Sequence, residues 1–239
     1  MLTGTIERTS ASCRETAGQN LKVDPVLFCS LNADDHLPGV RSRRYRIAKS
    51  GFDRMCALAL LTASVVPAMF IAAAIVIESK GPVFYREVRT GQGGRPFEIW
   101  KFRSMQATRP AEMTDADCLL LRIEKSPNDP RITRVGGFLR RWSLDELPQL
   151  LNVMCGDMSL VGPRPVIHRE IELYGEHRPS YLAAKPGLSG LWQISGRSNV
   201  DFETRVQLDV AYLQTWSFRN DLRIIWKTLP VVLRRTGAR

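Results

Sequence analysis

The chain has 239 residues, 44% of them hydrophobic, which is enough for one sizeable core or two small ones. Thirty-four Lys and Arg against 24 Asp and Glu leave a formal charge of +10, favouring polyanionic partners such as nucleic acid, anionic lipid or phosphorylated substrates. Its five cysteines, odd in number and scattered without a Cys-x-x-Cys pair, exclude a disulfide framework or zinc site and read as reduced cytoplasmic thiols.

Residues 1–44 mix Ser, Thr and Asp with short polar runs and no sustained apolar period, predicting a mobile arm that lacks the early apolar stretch of a secretory signal. A basic cluster (Arg41, Arg43, Arg44, Arg46, Lys49, Arg54) then precedes a charge-free run from Met55 to Ile77. As a helix this run would be about 35 Å long, against a hydrocarbon core about 30 Å thick. A simple crossing conflicts with the basic residues on its far side, Lys80, Arg86, Arg89 and Arg95, because the positive-inside bias cannot place both ends in the cytoplasm. Pro67 sits near the middle, where it removes a helical hydrogen bond and kinks the chain, while Ser64 is placed to help satisfy a freed carbonyl. A segment over 45–80 that enters, bends at Val66-Pro67 and returns answers both objections; a kinked anchor is the plainer alternative. Residues 81–239 then form a cytoplasmic domain.

Val83 to Arg103 predicts a β-hairpin turning at Gln92-Gly93-Gly94, with Lys101 and Arg103 on one face and Trp100 and Phe102 on the other. The paired cations suit an anion, or simply a solvated strand edge. Residues 116–125 read as a helix after a polar loop. In Ser143-Leu-Asp-Glu-Leu-Pro148, a capping box from Ser143 to Glu146 and a first helical position for Pro148 are incompatible boundaries, yet both set Asp145 and Glu146 near unpaired amides at a helix start. An ionised carboxylate there serves as a nucleophile, a metal ligand or an ordinary cap. Arg140 and Arg141 precede the pair, and Gly156-Asp-Met-Ser-Leu-Val-Gly-Pro-Arg-Pro165 follows, with Pro163 and Pro165 stiffening the loop that presents Arg164, a guanidinium matched to phosphate oxygens. Phe202, Val206, Val210 and Leu213 recur at helical spacing. Leu222, Ile225, Trp226, Leu229 and Val232 form a second stripe beside Arg223, Lys227, Arg234 and Arg235, suited to a membrane-surface helix or to an ordinary packed one.

Taken together, KFRSM (101–105), SLDELPQLLNV (143–153), GDMSLVGPRPV (156–166) and KPGLSGLWQISGR (185–197) resemble the bacterial monotopic phosphoglycosyl transferases that initiate exopolysaccharide or O-antigen repeat units. The resemblance covers about residues 45–235. It implies a helix-rich α/β fold with a re-entrant membrane helix kinked at Pro67, a small β-hairpin, and a cytoplasmic domain with membrane-surface helices, on the cytoplasmic face of the bacterial inner membrane. It further implies Mg²⁺-dependent transfer of a hexose 1-phosphate from a UDP-sugar to undecaprenyl phosphate. By motif, Asp145 would be the nucleophile, and Glu146 its metal-binding or proton-handling neighbour, the two holding the metal. Arg140, Arg164 and Arg197 would contact phosphate, with Lys101 and Arg103 as further candidates. One departure stands: Val66 replaces the serine that commonly precedes the family's helix-breaking proline. GLWQISGR leans toward UDP-galactose, while the sugar, the polymer, a homo-oligomer and the role of the arm stay open. A membrane-anchored nucleic-acid-binding or regulatory protein is the competing class, disfavoured because the cations gather around carboxylates that would repel a nucleic-acid backbone.

Overall fold

The structure, a computed structural model, describes residues 43–106, 129, 131–196 and 200–234. Nearly all of the N-terminal arm, the helix expected over 116–125, and Arg197 lie outside the described residues.

One helix dominates the first part of the chain. Helix α1 (Arg43–Glu78) is 36 residues, about 54 Å if straight, and its helical assignment continues across Val66 and Pro67. Among the described residues it alone is long and apolar enough to cross a membrane. Its middle faces outward, with Leu58, Leu60, Val65, Val66, Met69 and Phe70 all exposed. The expected help from Ser64 takes another form. Pro67 frees the carbonyl of Ala63, four residues back, whereas the Ser64 hydroxyl donates to Leu61 O at 2.9 Å.

Both ends of α1 are tied to one folded body. Near the start, Lys49 Nζ meets Asp221 Oδ2 at 2.7 Å, Ser159 Oγ donates to Asp53 Oδ2 at 2.7 Å, and Tyr45 and Phe52 pack edge-on against Trp216 and Phe218. At the far end Ile75 is buried with Phe102 and Leu139, while the Glu78 carboxylate accepts from the backbone N–H groups of Arg134 (2.8 Å) and Val135 (3.0 Å). Those are the first donors of the next helix, which have no partner within it, so Glu78 caps that helix from outside.

The hairpin forms as its residues predict. Strands β1 (Phe84–Thr90) and β2 (Pro96–Phe102) pair antiparallel, from Phe84 opposite Phe102 to Thr90 opposite Pro96, around a 3₁₀ turn at Gln92–Gly94 in which Gly93 has φ 69°. Phe84, Trp100 and Phe102 cluster on one face, as alternation requires.

Helix α2 (Arg134–Trp142), a 3₁₀ turn (Leu144–Glu146) and helix α3 (Gln149–Cys155) follow. Strand β3 (Ser159–Val161) pairs in parallel with β4 (Gly187–Ser189), and between them run α4 (His168–Glu172) and α5 (Arg178–Ala183). The backbones touch beside this small sheet: a Cβ on Gly187 would lie 2.1 Å from Gly162 N, so only glycine fits. Short α6 (Leu191–Ile194) leads to α7 (Phe202–Gln214) and α8 (Phe218–Leu233), each opened by a side-chain cap, Asp201 to Thr204 N and Ser217 to Asn220 N. A core of Val166, Ile171, Tyr174, Tyr181 and Val206 joins α4, α5 and α7.

The two C-terminal helices behave differently. Helix α7 buries Val206 and Leu213, as its period predicts. Helix α8 turns Asp221, Ile224 and Thr228 inward and leaves Leu222, Trp226, Leu229 and Leu233 exposed, Trp226 at 75%. Of the stripe, Leu222, Trp226 and Leu229 therefore face away from the described body, while Ile225 and Val232 are half-buried at its edge.

Candidate active site

Asp145 and Glu146 occupy the 3₁₀ turn between α2 and α3, both partly exposed. Ser143 does open the turn that carries the pair, but without the expected capping box, and Pro148 falls one position short of the first helical residue. Ser143 is not the start of a capping box: it closes α2 in the left-handed conformation (φ 56°, ψ 23°), its N–H donating to Arg140 O at 3.2 Å, and it makes no side-chain cap. Pro148 stands just before α3 as its flanking residue, because Gln149 is the first helical position. Ser143 is the sole non-glycine residue with positive φ among those described. Such a conformation costs a serine roughly 1–2 kcal/mol, which the packing of Leu144 and Leu147 against Ile75, Phe102 and Leu139 offsets. The acidic turn is thus seated on the cluster that also holds the end of α1.

Of the expected cations, Lys101 joins the pair directly, its Nζ 3.0 Å from Glu146 Oε1, so the hairpin and the acidic turn share a charge contact. Arg140 lies in the last turn of α2, close enough to Asp129 to help Arg131, the main cause, hold that carboxyl below the usual range.

Arg103 does something else. Buried, with 6% of its surface exposed, it donates to Ser79 O at 2.6 Å, Ser79 Oγ at 2.9 Å and Lys80 O at 2.8 Å, satisfying carbonyls that the end of α1 leaves without helical partners. Gly81 (φ 125°) makes room, since a Cβ there would lie 2.1 Å from Arg103 Nη1. The guanidinium expected to meet phosphate is spent on a helix end.

Arg164 is presented as the prolines suggest, although the restraint comes through carbonyls. Pro163 O accepts from Gly187 N (2.8 Å), Arg164 O from Tyr181 Oη (2.8 Å) and Pro165 O from Arg89 Nη1 (3.1 Å). Pro163 and Pro165 have no N–H to offer a phosphate, so their part is rigidity. The Arg164 guanidinium lies 5.3 Å from the centre of the Trp192 ring, and that of Arg205 lies 5.1 Å from the same ring. The described contacts therefore form two groups, one around Glu146 and one around Trp192. Sequence reasoning missed Arg205, Asp209 and Trp192. The signal for Arg205 and Asp209 was an Arg and an Asp at i, i+4 on an otherwise apolar helical period, whereas Trp192 lay within the GLWQISGR motif without being singled out.

As to metal, no group of three or more His, Cys, Asp or Glu side chains gathers among the described residues. Two adjacent carboxylates still fit Mg²⁺, which takes one or two carboxylates and completes its shell with water and substrate phosphate.

Comparison with known proteins now bears on this arrangement. Over 203 residues the chain is 45% identical to the undecaprenyl-phosphate galactose phosphotransferase of Salmonella typhimurium, covering 82% of this chain and 42% of that protein, so it spans about two-fifths of that relative's length. It is 41% identical to the exopolysaccharide production protein ExoY of Sinorhizobium fredii, covering 80% of this chain and 88% of that one. With the UDP-glucose:undecaprenyl-phosphate glucose-1-phosphate transferase of Caulobacter vibrioides the identity is 42%, over 76% and 68% of the two chains. The profile of one family, described as bacterial sugar transferase, matches residues 44–235, taking in the long helix, the hairpin, the acidic turn and the Arg164 loop. The chain belongs to the bacterial sugar transferase family.

Proposed function

We propose that this chain transfers a hexose 1-phosphate from a UDP-sugar to undecaprenyl phosphate at the cytoplasmic face of the bacterial inner membrane, starting an exopolysaccharide or O-antigen unit. The observation that carries the reading is the Asp145–Glu146 turn, braced by Lys101 and seated beside an apolar helix whose two ends are tied to the same body. The names of relatives that act on undecaprenyl phosphate support the substrate class. Galactose and glucose are both represented among them, so the hexose is to be found by assay.

In the first step an Asp145 carboxylate oxygen attacks the β-phosphorus of the donor. An O–P bond forms, the bond from that phosphorus to the bridging oxygen breaks, and UMP leaves with the electron pair. A phosphate oxygen of the lipid then attacks the aspartyl sugar phosphate and releases the carboxylate, splitting one difficult transfer into two. Arg140, Arg164 and Arg197 would offset phosphoryl charge, with Lys101 moving between Glu146 and the substrate. Mg²⁺ held by Asp145 and Glu146 would supply further charge compensation to the phosphoryl oxygens.

The membrane arrangement follows from the same features. Basic residues flank both ends of α1, so a bend at Pro67 that keeps both ends cytoplasmic is favoured, with the exposed middle in one leaflet. Helix α8 would lie at the lipid surface, its stripe of Leu222, Trp226 and Leu229 in the interface and its cations toward anionic headgroups. A nucleic-acid-binding reading is disfavoured because Lys101, the cation nearest the acidic turn, is paired with Glu146, and carboxylates there would repel a nucleic-acid backbone.

A screen of UDP-sugars for UMP release tests the reaction. Purified enzyme given Mg²⁺ and the right donor without lipid should release at most about one UMP per site, and a peptide spanning Asp145 should gain the mass of a hexose phosphate. Asp145→Asn should abolish both signals. UMP release that strictly requires acceptor, in a preparation free of bound lipid, would remove the covalent step and leave the transfer.

A further inference from the structure

The group around Trp192 has an electrostatic composition that packing does not explain. Two guanidiniums, of Arg164 and Arg205, lie against one indole ring. Arg205 is 6% exposed; its Nη2 donates to Val200 O at 3.1 Å and its Nε has no hydrogen-bond partner. One turn further along α7, Asp209 is 1% exposed, accepts from Tyr174 Oη at 3.0 Å through Oδ2, and faces the backbone N–H of Arg164. Like charges held together in a desolvated place repel each other, and unpartnered polar atoms there are costly. A cluster of this kind persists when something it was built for offsets that cost.

We propose that Arg164 and Arg205, paired against Trp192, form the subsite for the donor's diphosphate, and that Asp209 behind them is its proton-linked counter-ion. With the subsite empty, the ionised carboxylate compensates the two cations. When a diphosphate arrives it takes over that compensation, and the buried carboxylate, now facing extra negative charge, binds a proton. Arg164 contacts the anion, whereas Arg205, Asp209 and Tyr174 are positioning residues that act through Arg164 and the indole. The inference rests on the reading of the preceding subsection and deepens it.

The groups facing Asp209 agree with this. Burial pushes its carboxyl up to about 7, opposed by the Tyr174 hydrogen bond, by the backbone N–H of Arg164 in the proline loop, and by the charges of Arg164 and of Arg205 from its own helix. Tyr181 from α5 and Glu170 from α4 stand nearby, Glu170 3.9 Å from Arg89. A bound anion would raise the Asp209 value further, so binding takes up a proton wherever Asp209 is ionised in the free enzyme. Affinity for the donor then falls as pH rises above about 7.

The test is the donor KM of the full chain in detergent or nanodiscs, with saturating undecaprenyl phosphate, between pH 6 and pH 8.5. A UDP-sugar has no phosphate monoester and so does not itself titrate there. Wild-type KM should rise above the midpoint by up to about tenfold per pH unit. Asp209→Asn should flatten this rise and bind donor more tightly than wild type at the alkaline end. Tyr174→Phe removes a hydrogen bond that favours the ionised form, so it should move the rise to higher pH; it keeps the test available if the asparagine variant does not fold. Arg205→Gln should raise KM at every pH while transfer persists. A flat wild-type profile, or an Asp209→Asn profile that follows wild type, overturns the proposal while leaving the transferase reading intact. Absence of transfer from every UDP-sugar takes down both.

Discussion

Arg103 illustrates how far a single side chain's role depends on what its neighbours leave unsatisfied. The end of α1 presents carbonyls without helical partners, and those of Ser79 and Lys80 receive the guanidinium donors. Arg103→Lys should therefore lower stability by about 1–3 kcal/mol, because an ammonium cannot reach the same set of acceptors. Thermal unfolding in detergent checks this; a variant of wild-type stability with a raised donor KM would return Arg103 to the phosphate. Ser143 offers a second measurement at this scale. Ser143→Gly should hold or raise stability and Ser143→Val should lower it, the two differing by at least about 1–2 kcal/mol, because only glycine takes φ 56° without strain. Asp209 supplies a third. Its folded value, about 7, lies above the usual carboxylate range, so the folded state binds more protons than the unfolded one between about pH 4 and pH 7, and stability from this group is lost as pH rises through that window. The melting temperature of Asp209→Asn relative to wild type should consequently climb from pH 4.5 to pH 7.5. A constant difference would show that the carboxyl titrates normally.

Among the elements, α8 is the clearest case of a pattern whose meaning depends on what it packs against. Leu222, Trp226 and Leu229 follow a helical period that suits a buried face, yet the face turned to the body is that of Asp221, Ile224 and Thr228. Replacing Leu222, Trp226 and Leu229 by serine should leave the melting temperature nearly unchanged while weakening sedimentation with anionic vesicles. A large fall in stability instead would mean that the stripe packs on protein. The acidic turn teaches the complementary lesson. Ser-x-x-Glu is a helix-start pattern, and Ser143 both closes α2 and opens the single 3₁₀ turn that carries Asp145 and Glu146, so the carboxylates sit at a helix start without the side-chain cap the pattern suggests.

At the scale of the whole molecule the arrangement of α1 decides how the chemistry reaches the lipid. Lys49 with Asp221 at one end, and Arg103 with Ser79 and Lys80 at the other, tie the helix to one body. If both ends face the cytoplasm, single cysteines near Ser42 and, beside the buried Thr90, at the exposed Gly93, in a background without native cysteines, should resist a membrane-impermeant thiol reagent in intact cells. Pro67→Leu should shift some molecules toward a spanning form, and combining it with Asp221→Asn, which leaves Lys49 without its nearest carboxylate, should shift more. Labelling of one flank alone in the wild type would establish a crossing.

Much of this protein was already determined by its sequence, for physical reasons that act locally. The charge-free run from Met55 to Ile77 needs only length and polarity to be recognised, the hairpin only alternation around Gln92-Gly93-Gly94, and α7 only its 3.6-residue period. The Asp145–Glu146 pair could be singled out because its chemistry and surrounding motifs are contiguous. Tertiary structure alone decided the roles that depend on partners distant in the chain. Lys101 reaches Glu146 across 45 positions, Arg103 leaves the anion set for a helix end, and Arg164 meets an indole and a second arginine contributed by α6 and α7. Whether a cation binds substrate or caps a helix is set by which unsatisfied oxygen lies nearest in space, and spacing along the chain does not encode that distance.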